Sequence, residues 1–383
     1  MSKKGFTYLV TLVMSLIMTL ALFSGCSNKA PSSSQAVPSE KSSPAQETKQ
    51  EVIKLTASNY LPPAHILSKM MGDMLKEIET QSNGRLEITY APGGSLLTAP
   101  KTADGVEQGL ADIGFSHIGY NPGRFPVSEA LDLPMGYPSS WIATNVAVDY
   151  LDKFKPKEWD KFKVLQVNGG TTAAIHMAKS PVRKLEDLNG KTMRGAGEVA
   201  DALKALGATP RDMPMTEIYD GMSKGTIDGL LVGAETLKSF KLADVTKYTT
   251  YAPSIGNSYL FYIIMNKSKW DSLPADIQKI FNDVGAKYQA ETALTWNKIN
   301  VEGFETAIAK GIEFITLPDE EAARWKTAVQ PVIDNYVTKM TGKGFSEQEA
   351  KDQISFIKER IAHWEQQQKA QKIPSEADIK TNK

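Results

Sequence analysis

Residues 52–90 read VIKLTASNYLPPAHILSKMMGDMLKEIETQSNGRLEITY, and their periodicity changes twice. Residues 52–57 read as a first strand, and the loop 58–63 leads into a helix predicted over about 64–82. Ile66, Met70, Met74 and Ile78 recur at helical spacing, as a core stripe does. Asn83-Gly84 ends the helix, and 85–90 alternates like a second strand. The same grammar recurs downstream: a helix near 100–109, a strand at 111–115, a helix near 139–152 and a strand at 163–167. Alternation of this kind predicts an α/β body with mainly parallel strands.

A second block follows Asn168-Gly169-Gly170, where the glycine pair reads as a turn, as does Gly93-Gly94. It contains strands near Thr192, Pro210 and Ile227, helices at 199–206 and 217–224, and a strand near 245–251. The apolar run SYLFYIIM at 258–265 suits a buried strand that returns the chain to the first lobe. Crossing between lobes more than once implies a hinge. From 274 to about 310 the pattern is helical, with Pro274 in a first turn, where proline is tolerated. Such a helix would span roughly 55 Å at 1.5 Å per residue, longer than one lobe is wide. Gly285 and Gly303 stand where it would bend or break, so two successive helices are the alternative.

The 383 residues hold one cysteine, Cys26, at the end of a charged-then-apolar amino terminus. Lys3 and Lys4 precede the apolar run 6–23, and Leu22-Phe23-Ser24-Gly25-Cys26 resembles a bacterial lipobox. Residues 1–25 are therefore expected to be a lipoprotein signal peptide, with Cys26 as the lipid attachment site. A plain transmembrane anchor is the alternative. Either tethers the body outside the cytoplasmic membrane. Residues 26–50, rich in Ser and Pro, cannot bury enough surface to offset their ordering entropy and read as a tether. Without residues 1–25 the balance is 42 basic against 44 acidic residues, which gives no support for a nucleic-acid partner. With no second cysteine an internal disulfide is excluded, so stability must come from burial. The roughly 330 residues after the tether exceed what one core serves, and two lobes are expected.

Catalytic signals are thin. His65, His117, His176 and His363 show no metal-ligand spacing, and no G-x-S-x-G elbow, Walker loop or glycine fingerprint is present. No catalytic residue, metal or cofactor is expected.

Four blocks in order, KLEDLNGKTMR (184–194), DALKALGATP (201–210), MPMTEIY (213–219) and GTIDG (225–229), look like the signature of TRAP transporter substrate-binding proteins, the DctP-like family. ADI (111–113), DLP (132–134) and NKSKWDSLP (266–274) agree, so the resemblance runs from about Val52 to Phe345. It implies a two-lobe, periplasmic-binding-protein-like Venus flytrap of the type II kind, with hinge strands and a long helix bridging both lobes. It also implies delivery of a small organic carboxylate to a membrane permease of a small and a large subunit. A sensor lipoprotein acting on a receptor partner is the alternative. The expected divisions are 51–168 plus 257–297 for lobe I, 169–256 plus 298–360 for lobe II, and 361–383 for a polar tail.

Arg194 matches the family arginine that grips the ligand carboxylate, a task suited to a planar, bidentate guanidinium. A surface arginine paired with Glu198 is the alternative. The chain departs from the acid-binding members in two places. Gly170-Thr171-Thr172 stands where many carry an arginine, and Leu230-Leu231-Val232-Gly233 replaces Gln-Glu-Asn-Pro. A single carboxylate on an apolar or sugar-like body fits this better than a dicarboxylate. Glu235 can accept hydrogen bonds from a ligand hydroxyl or ammonium, or decorate the following helix. Tyr60 approaches ligand or braces the turn at Pro62-Pro63. Ser116, His117 and Tyr120 follow a strand end, with His117 a donor candidate or satisfied within its loop. Asn168 and Thr171 lie at the expected hinge, with Met215 opposite as apolar lining or plain core. Arg124 organises the loop 121–126 or reaches the cleft.

Overall fold

In the computed structural model, which describes residues 51–376, the opening stretch forms β1 (Ile53–Asn59), α1 (Ile66–Gln81) and β2 (Leu86–Ala91), with β1 and β2 parallel. The lipobox, Cys26 and the tether lie outside the described residues. His65 caps α1, its Nδ1 accepting the Leu67 backbone N–H at 3.2 Å. The buried face of α1 is Leu67, Met71, Met74, Leu75 and Ile78, so Met74 and Ile78 hold their place in the stripe while Leu67 and Met71 replace Ile66 and Met70 in its first turns, and Ile66 is exposed. Asn83 and Gly84 both take positive φ, as a helix-ending turn requires. Gly93 and Gly94 also take positive φ in a turn.

The chain continues through α2 (Thr102–Glu107), β3 (Ile113–His117), α3 (Ser140–Phe154) and β4 (Phe162–Thr172). It then forms β5 (Ala174–Met177), β6 (Thr192–Arg194), α4 (Glu198–Ala205), β7 (Thr209–Arg211), α5 (Ile218–Lys224), β8 (Gly229–Val232), α6 (Thr236–Ser239) and β9 (Tyr248–Tyr251). β10 (Asn257–Asn266), α7 (Lys267–Ser272), α8 (Ala275–Ala309), β11 (Glu313–Thr316), α9 (Asp319–Gly342) and α10 (Glu347–Ala370) complete it. Two sheets result, one ordered β2-β1-β3-β10-β4 and the other β11-β9-β5-β8-β6-β7. The fold is α/β with two lobes, one around each sheet. The sheets are mixed, not mainly parallel: β10 runs antiparallel to β3 and β4, and β5 antiparallel to β8 and β9. The reversed strands are those by which the chain enters a sheet from the other lobe. Among the described residues no helix is long and apolar enough to cross a membrane.

β4 leaves the first sheet through Ala173 and continues as β5 in the second. The return runs from β9 to β10, and the Ala252 N–H donates to the Ala173 carbonyl at 2.8 Å where the two crossings meet. β4 and β10 pair from Phe162↔Asn266 to Thr172↔Asn257. Gly169 and Gly170 therefore lie inside a strand and form no turn. A Cβ on Gly169 would stand 2.6 Å from Ala143, and one on Gly170 2.8 Å from the Trp296 ring. Glycine is needed there for close approach. Along β10, Tyr259, Phe261, Ile263 and Met265 join one apolar core while Leu260, Tyr262 and Ile264 join another, which is why the run reads as continuously apolar.

α8 is one helix of 35 residues, about 52 Å long, and Pro274 is its N-cap rather than a first-turn residue. The two-helix alternative fails because its glycines are contact points. A Cβ on Gly285 would meet the Leu165 carbonyl at 3.3 Å, and one on Gly303 would stand 2.0 Å from the Ala234 carbonyl. α8 packs on α1, α3 and β4 of the first lobe and on α6 and β11 of the second, so it bridges both.

The carboxyl-terminal part departs most from expectation. α9 spans both lobes, packing on α4 of the second while its Tyr336 hydroxyl donates to the Val127 carbonyl of the first at 3.3 Å. α10 packs on α3 of the first lobe, with Trp141 and Trp364 rings 5.4 Å apart and Arg360 Nε donating to Asp149 at 2.7 Å, so it does not belong to the second lobe. Nor is 361–376 a polar tail. α10 runs to Ala370, the Pro374 carbonyl accepts from Asn297, and Glu376 is buried with its Oε1 accepting the Thr171 hydroxyl at 2.9 Å. Polar composition hid this docking because the segment binds through side-chain and carbonyl hydrogen bonds.

Two consequences can be measured. Gly303→Ala sets a methyl against the backbone at 234–235, and the strain outweighs the roughly 1 kcal/mol gain in helix propensity. The urea midpoint is expected to fall by about 1–3 kcal/mol of stability; a midpoint at or above wild type would mean that α8 does not approach so closely. Burial pushes the Glu376 carboxyl up to about 7, against the Thr171 hydrogen bond. The folded state thus holds the proton more tightly than the unfolded chain, so this group's contribution is fully present below about 4.5 and is lost as pH rises through about 7. Glu376→Gln is expected to stabilise the chain by on the order of 2–3 kcal/mol at about pH 8 and by little near pH 4.5. An equal effect at both pH values would contradict the buried carboxyl.

Candidate functional site

Parallel strands β6 and β8 pair with Arg194 opposite Leu230, and β6 ends at Arg194. Its side chain does not reach the surface, for the residue is 2% exposed. Nε donates to the Met213 carbonyl at 3.1 Å, Nη1 to the Tyr259 hydroxyl at 3.2 Å and Nη2 to the Tyr120 hydroxyl at 3.4 Å. Among the described residues these are its partners, two phenols and a carbonyl. Glu198 pairs instead with Lys339 at 3.0 Å, which removes the surface-pair alternative for Arg194. Burial disfavours the guanidinium's charge, but Tyr259, Tyr120, Asp212 and Tyr60 outweigh it, and its pKa lies above the ordinary value. A buried cation whose hydrogen bonds all go to neutral groups is an open position for an anion.

Arg194 borders a narrow cavity of about 40 Å³. The first lobe contributes Tyr60, His65, His117 and Tyr120, and the crossing strands contribute Gly170, Thr171, Tyr259 and Phe261. Trp296 reaches in from α8, and Met215, Glu235 and Phe240 come from the second lobe. The aromatic groups brace one another. Tyr60 meets Tyr120 edge-on at 5.7 Å, and Phe261 lies 5.7 Å from Phe115 and 4.5 Å from Trp296. Trp296 fits because position 170 is glycine, so an indole stands beside the place where a second arginine would be looked for.

Of the residues singled out from the sequence, Arg194, Tyr60, His117, Thr171, Met215 and Glu235 come together at this cavity. Asn168 does not. It faces Leu67, Met71 and Gln166 within the first lobe, because its neighbours Gly170 and Thr171 take the positions nearer the second. Thr171 borders the cavity while its hydroxyl serves the hinge, bonding Glu376 and Asn300. His117 is anchored from behind, its Nε2 2.9 Å from the Asp132 carboxyl, whose Oδ1 accepts the Leu260 N–H at 2.8 Å. Burial raises the Asp132 pKa, and His117 opposes the shift. Burial likewise holds the Tyr60 phenol well above its usual value and pushes Tyr259 up to about 12. Both are therefore neutral hydrogen-bonding groups at ordinary pH.

The Ser116 hydroxyl donates to the Ala99 carbonyl, away from the cavity. Arg124 pairs with Asp104 and Glu107 and stacks near Phe125 and Phe162, so it organises its loop. His65, Phe240, Tyr259, Phe261 and Trp296 were not legible as site residues. Strand parity in SYLFYIIM can find Tyr259 and Phe261 once β10 is known to cross. Nothing local marks Trp296. Among the described residues no cluster of three or more His, Cys, Asp or Glu is poised to hold a metal.

Residues 57–339 match the family model described as bacterial extracellular solute-binding protein, family 7. The C4-dicarboxylate-binding periplasmic protein DctP of Rhodobacter capsulatus is 27% identical over 304 residues, covering 74% of this chain and 86% of the relative. Among solved structures, a TRAP periplasmic solute-binding protein of Desulfovibrio salexigens, in an open form, superposes with a TM-score of 0.70 at 32% identity. That match covers 82% of this chain and 97% of the other. A marine-metagenome TRAP solute-binding protein specific for aromatic acids, complexed with 3-hydroxybenzoate, superposes at 0.76 with 26% identity, covering 82% and 99%. The chain thus belongs to the DctP family of bacterial extracellular solute-binding proteins, TRAP-type binding proteins rather than enzymes.

Proposed function

We propose that the protein captures a small organic monocarboxylate with an apolar or aromatic body in the interlobe cavity. It then passes this cargo to the small and large permease subunits of a TRAP transporter, working from a lipid anchor at Cys26 outside the cytoplasmic membrane. The observation that carries the cargo class is Arg194, a fully buried guanidinium at a strand end with no anion among its partners. The ring-lined walls favour an apolar body over a second charge. The aromatic-acid specificity of the metagenome relative supports the same choice.

The mechanism follows from which lobe holds each group. Arg194 belongs to the second lobe, Tyr120 to the first and Tyr259 to a crossing strand, so their hydrogen bonds span the closure. Gly197 and Gly119 meet across the same seam, where a Cβ on Gly197 would stand 2.9 Å from the Gly119 Cα. Ligand enters the open form and gives its carboxylate to Arg194. Hinge motion then removes water from the pair, which strengthens the charged bonds. Closure is driven by the ligand's preference for the closed form over the open one.

The test is a thermal-shift screen of the full chain in detergent against monocarboxylates, dicarboxylates, sugar acids and amino acids, followed by calorimetry on the best ligand. A monocarboxylate is expected to raise the melting temperature most, and Arg194→Ala to weaken its binding by about tenfold to several hundredfold. Unchanged affinity in Arg194→Ala, or no response to any acid, would overturn the assignment.

A further inference from the structure

The cavity has a second pole. Glu235 follows β8, its side chain is 9% exposed, and its Oε2 accepts the Ser239 hydroxyl and faces His65 Nε2 at 3.5 Å. Because His65 Nδ1 accepts the Leu67 N–H, the ring hydrogen must sit on Nε2, directed at that same oxygen. Oε2 is thereby satisfied from both lobes, since His65 belongs to the first and Glu235 to the second. Oε1 has no hydrogen-bond partner among the described residues. Arg194 meanwhile has its own partners, so the two charged groups on this cavity do not satisfy each other. Tyr60 borders the same cavity as both poles.

We infer that the cargo carries, besides its carboxylate, an O–H or N–H donor that Glu235 Oε1 receives, making Glu235 the specificity-determining residue of this chain. This rests on the carboxylate reading of Arg194. A ligand lacking the donor would displace water from Oε1 without replacing its hydrogen bond, and sites built around such an oxygen reject the donor-free analogue. A dicarboxylate is rejected more strongly, because its second acid would meet Glu235 as a like charge. His65 is a positioning residue, holding Oε2 so that Oε1 faces the cargo.

Calorimetry on the full chain in detergent tests this with benzoate and phenylacetate as parents, each with its ring-hydroxylated and ring-aminomethylated counterparts. At least one counterpart is expected to bind about tenfold to a hundredfold more tightly than its parent. In Glu235→Ala that preference is expected to fall to about twofold or less, with the parent binding more tightly than it does to wild type because no carboxylate oxygen is left unpaired. The isosteric Glu235→Gln, which keeps an amide acceptor but no charge, reduces a hydroxyl preference and abolishes an ammonium preference. Which arm wins assigns the donor as neutral or cationic. Parents that bind as tightly as every counterpart, with Arg194→Ala weakening all alike, would overturn the inference and leave the carboxylate reading standing. So would a preference that survives in both Glu235 variants. Failure of every acid to bind wild type would defeat both.

Discussion

The antiparallel ladder between β4 and β10 carries the chain out of the first sheet and back, so its register sets where both lobes sit relative to the cavity. Side chains in a strand alternate between faces, and β10 uses both. Leu260, Tyr262 and Ile264 feed one core, while Tyr259 and Phe261 supply the aromatic wall on the other face. A slip of one residue would exchange the two sets, placing the Tyr262 ring at the ligand and burying the Tyr259 hydroxyl away from Arg194. Gly169 and Gly170 belong to the same constraint. One lets α3 approach the ladder, and the other admits the Trp296 indole to the cavity.

Around this frame the charges are distributed unevenly. Glu198 is paired with Lys339 across a short distance, as half-buried ions must be, and His117 is hydrogen-bonded to Asp132. Arg194 leans on neutral phenols, and Glu235 leaves one oxygen unbonded. A protein that placed these two groups in its interior for stability alone would have joined them. Held apart, they keep the closed empty form from being as favourable as the closed loaded form, which is what a binding protein that must also open requires. The aromatic walls lower the local dielectric and amplify whatever charged bonds the cargo makes.

Legibility in the sequence followed the range of the forces involved. The β1-α1-β2 unit, the buried run of β10 and the strand before Arg194 all showed, because strand and helix periodicity are local. Local patterns failed where distant contacts decided. Gly169-Gly170 has turn composition yet lies in a strand, since α3 and α8 crowd it from other parts of the chain. Gly303 has the composition of a break yet lets α8 pass against residues 234–235. The terminal polar segment has no apolar stripe, and it docks through Asn297, Thr171 and a buried carboxyl that no periodicity encodes.

The sequence by itself determined the α/β class, the two-lobe plan and the cation at the cleft, because the residues responsible sit within one element or one signature block. Only the tertiary structure decided that α8 is continuous, that α10 belongs with the first lobe, and that Asn168 turns away while Trp296 and His65 turn in. Each of those outcomes depends on two segments meeting in space. The pairing of Glu235 with His65 shows the reason most plainly: the residues are far apart along the chain, and closing the lobes is what brings the imidazole to the carboxylate.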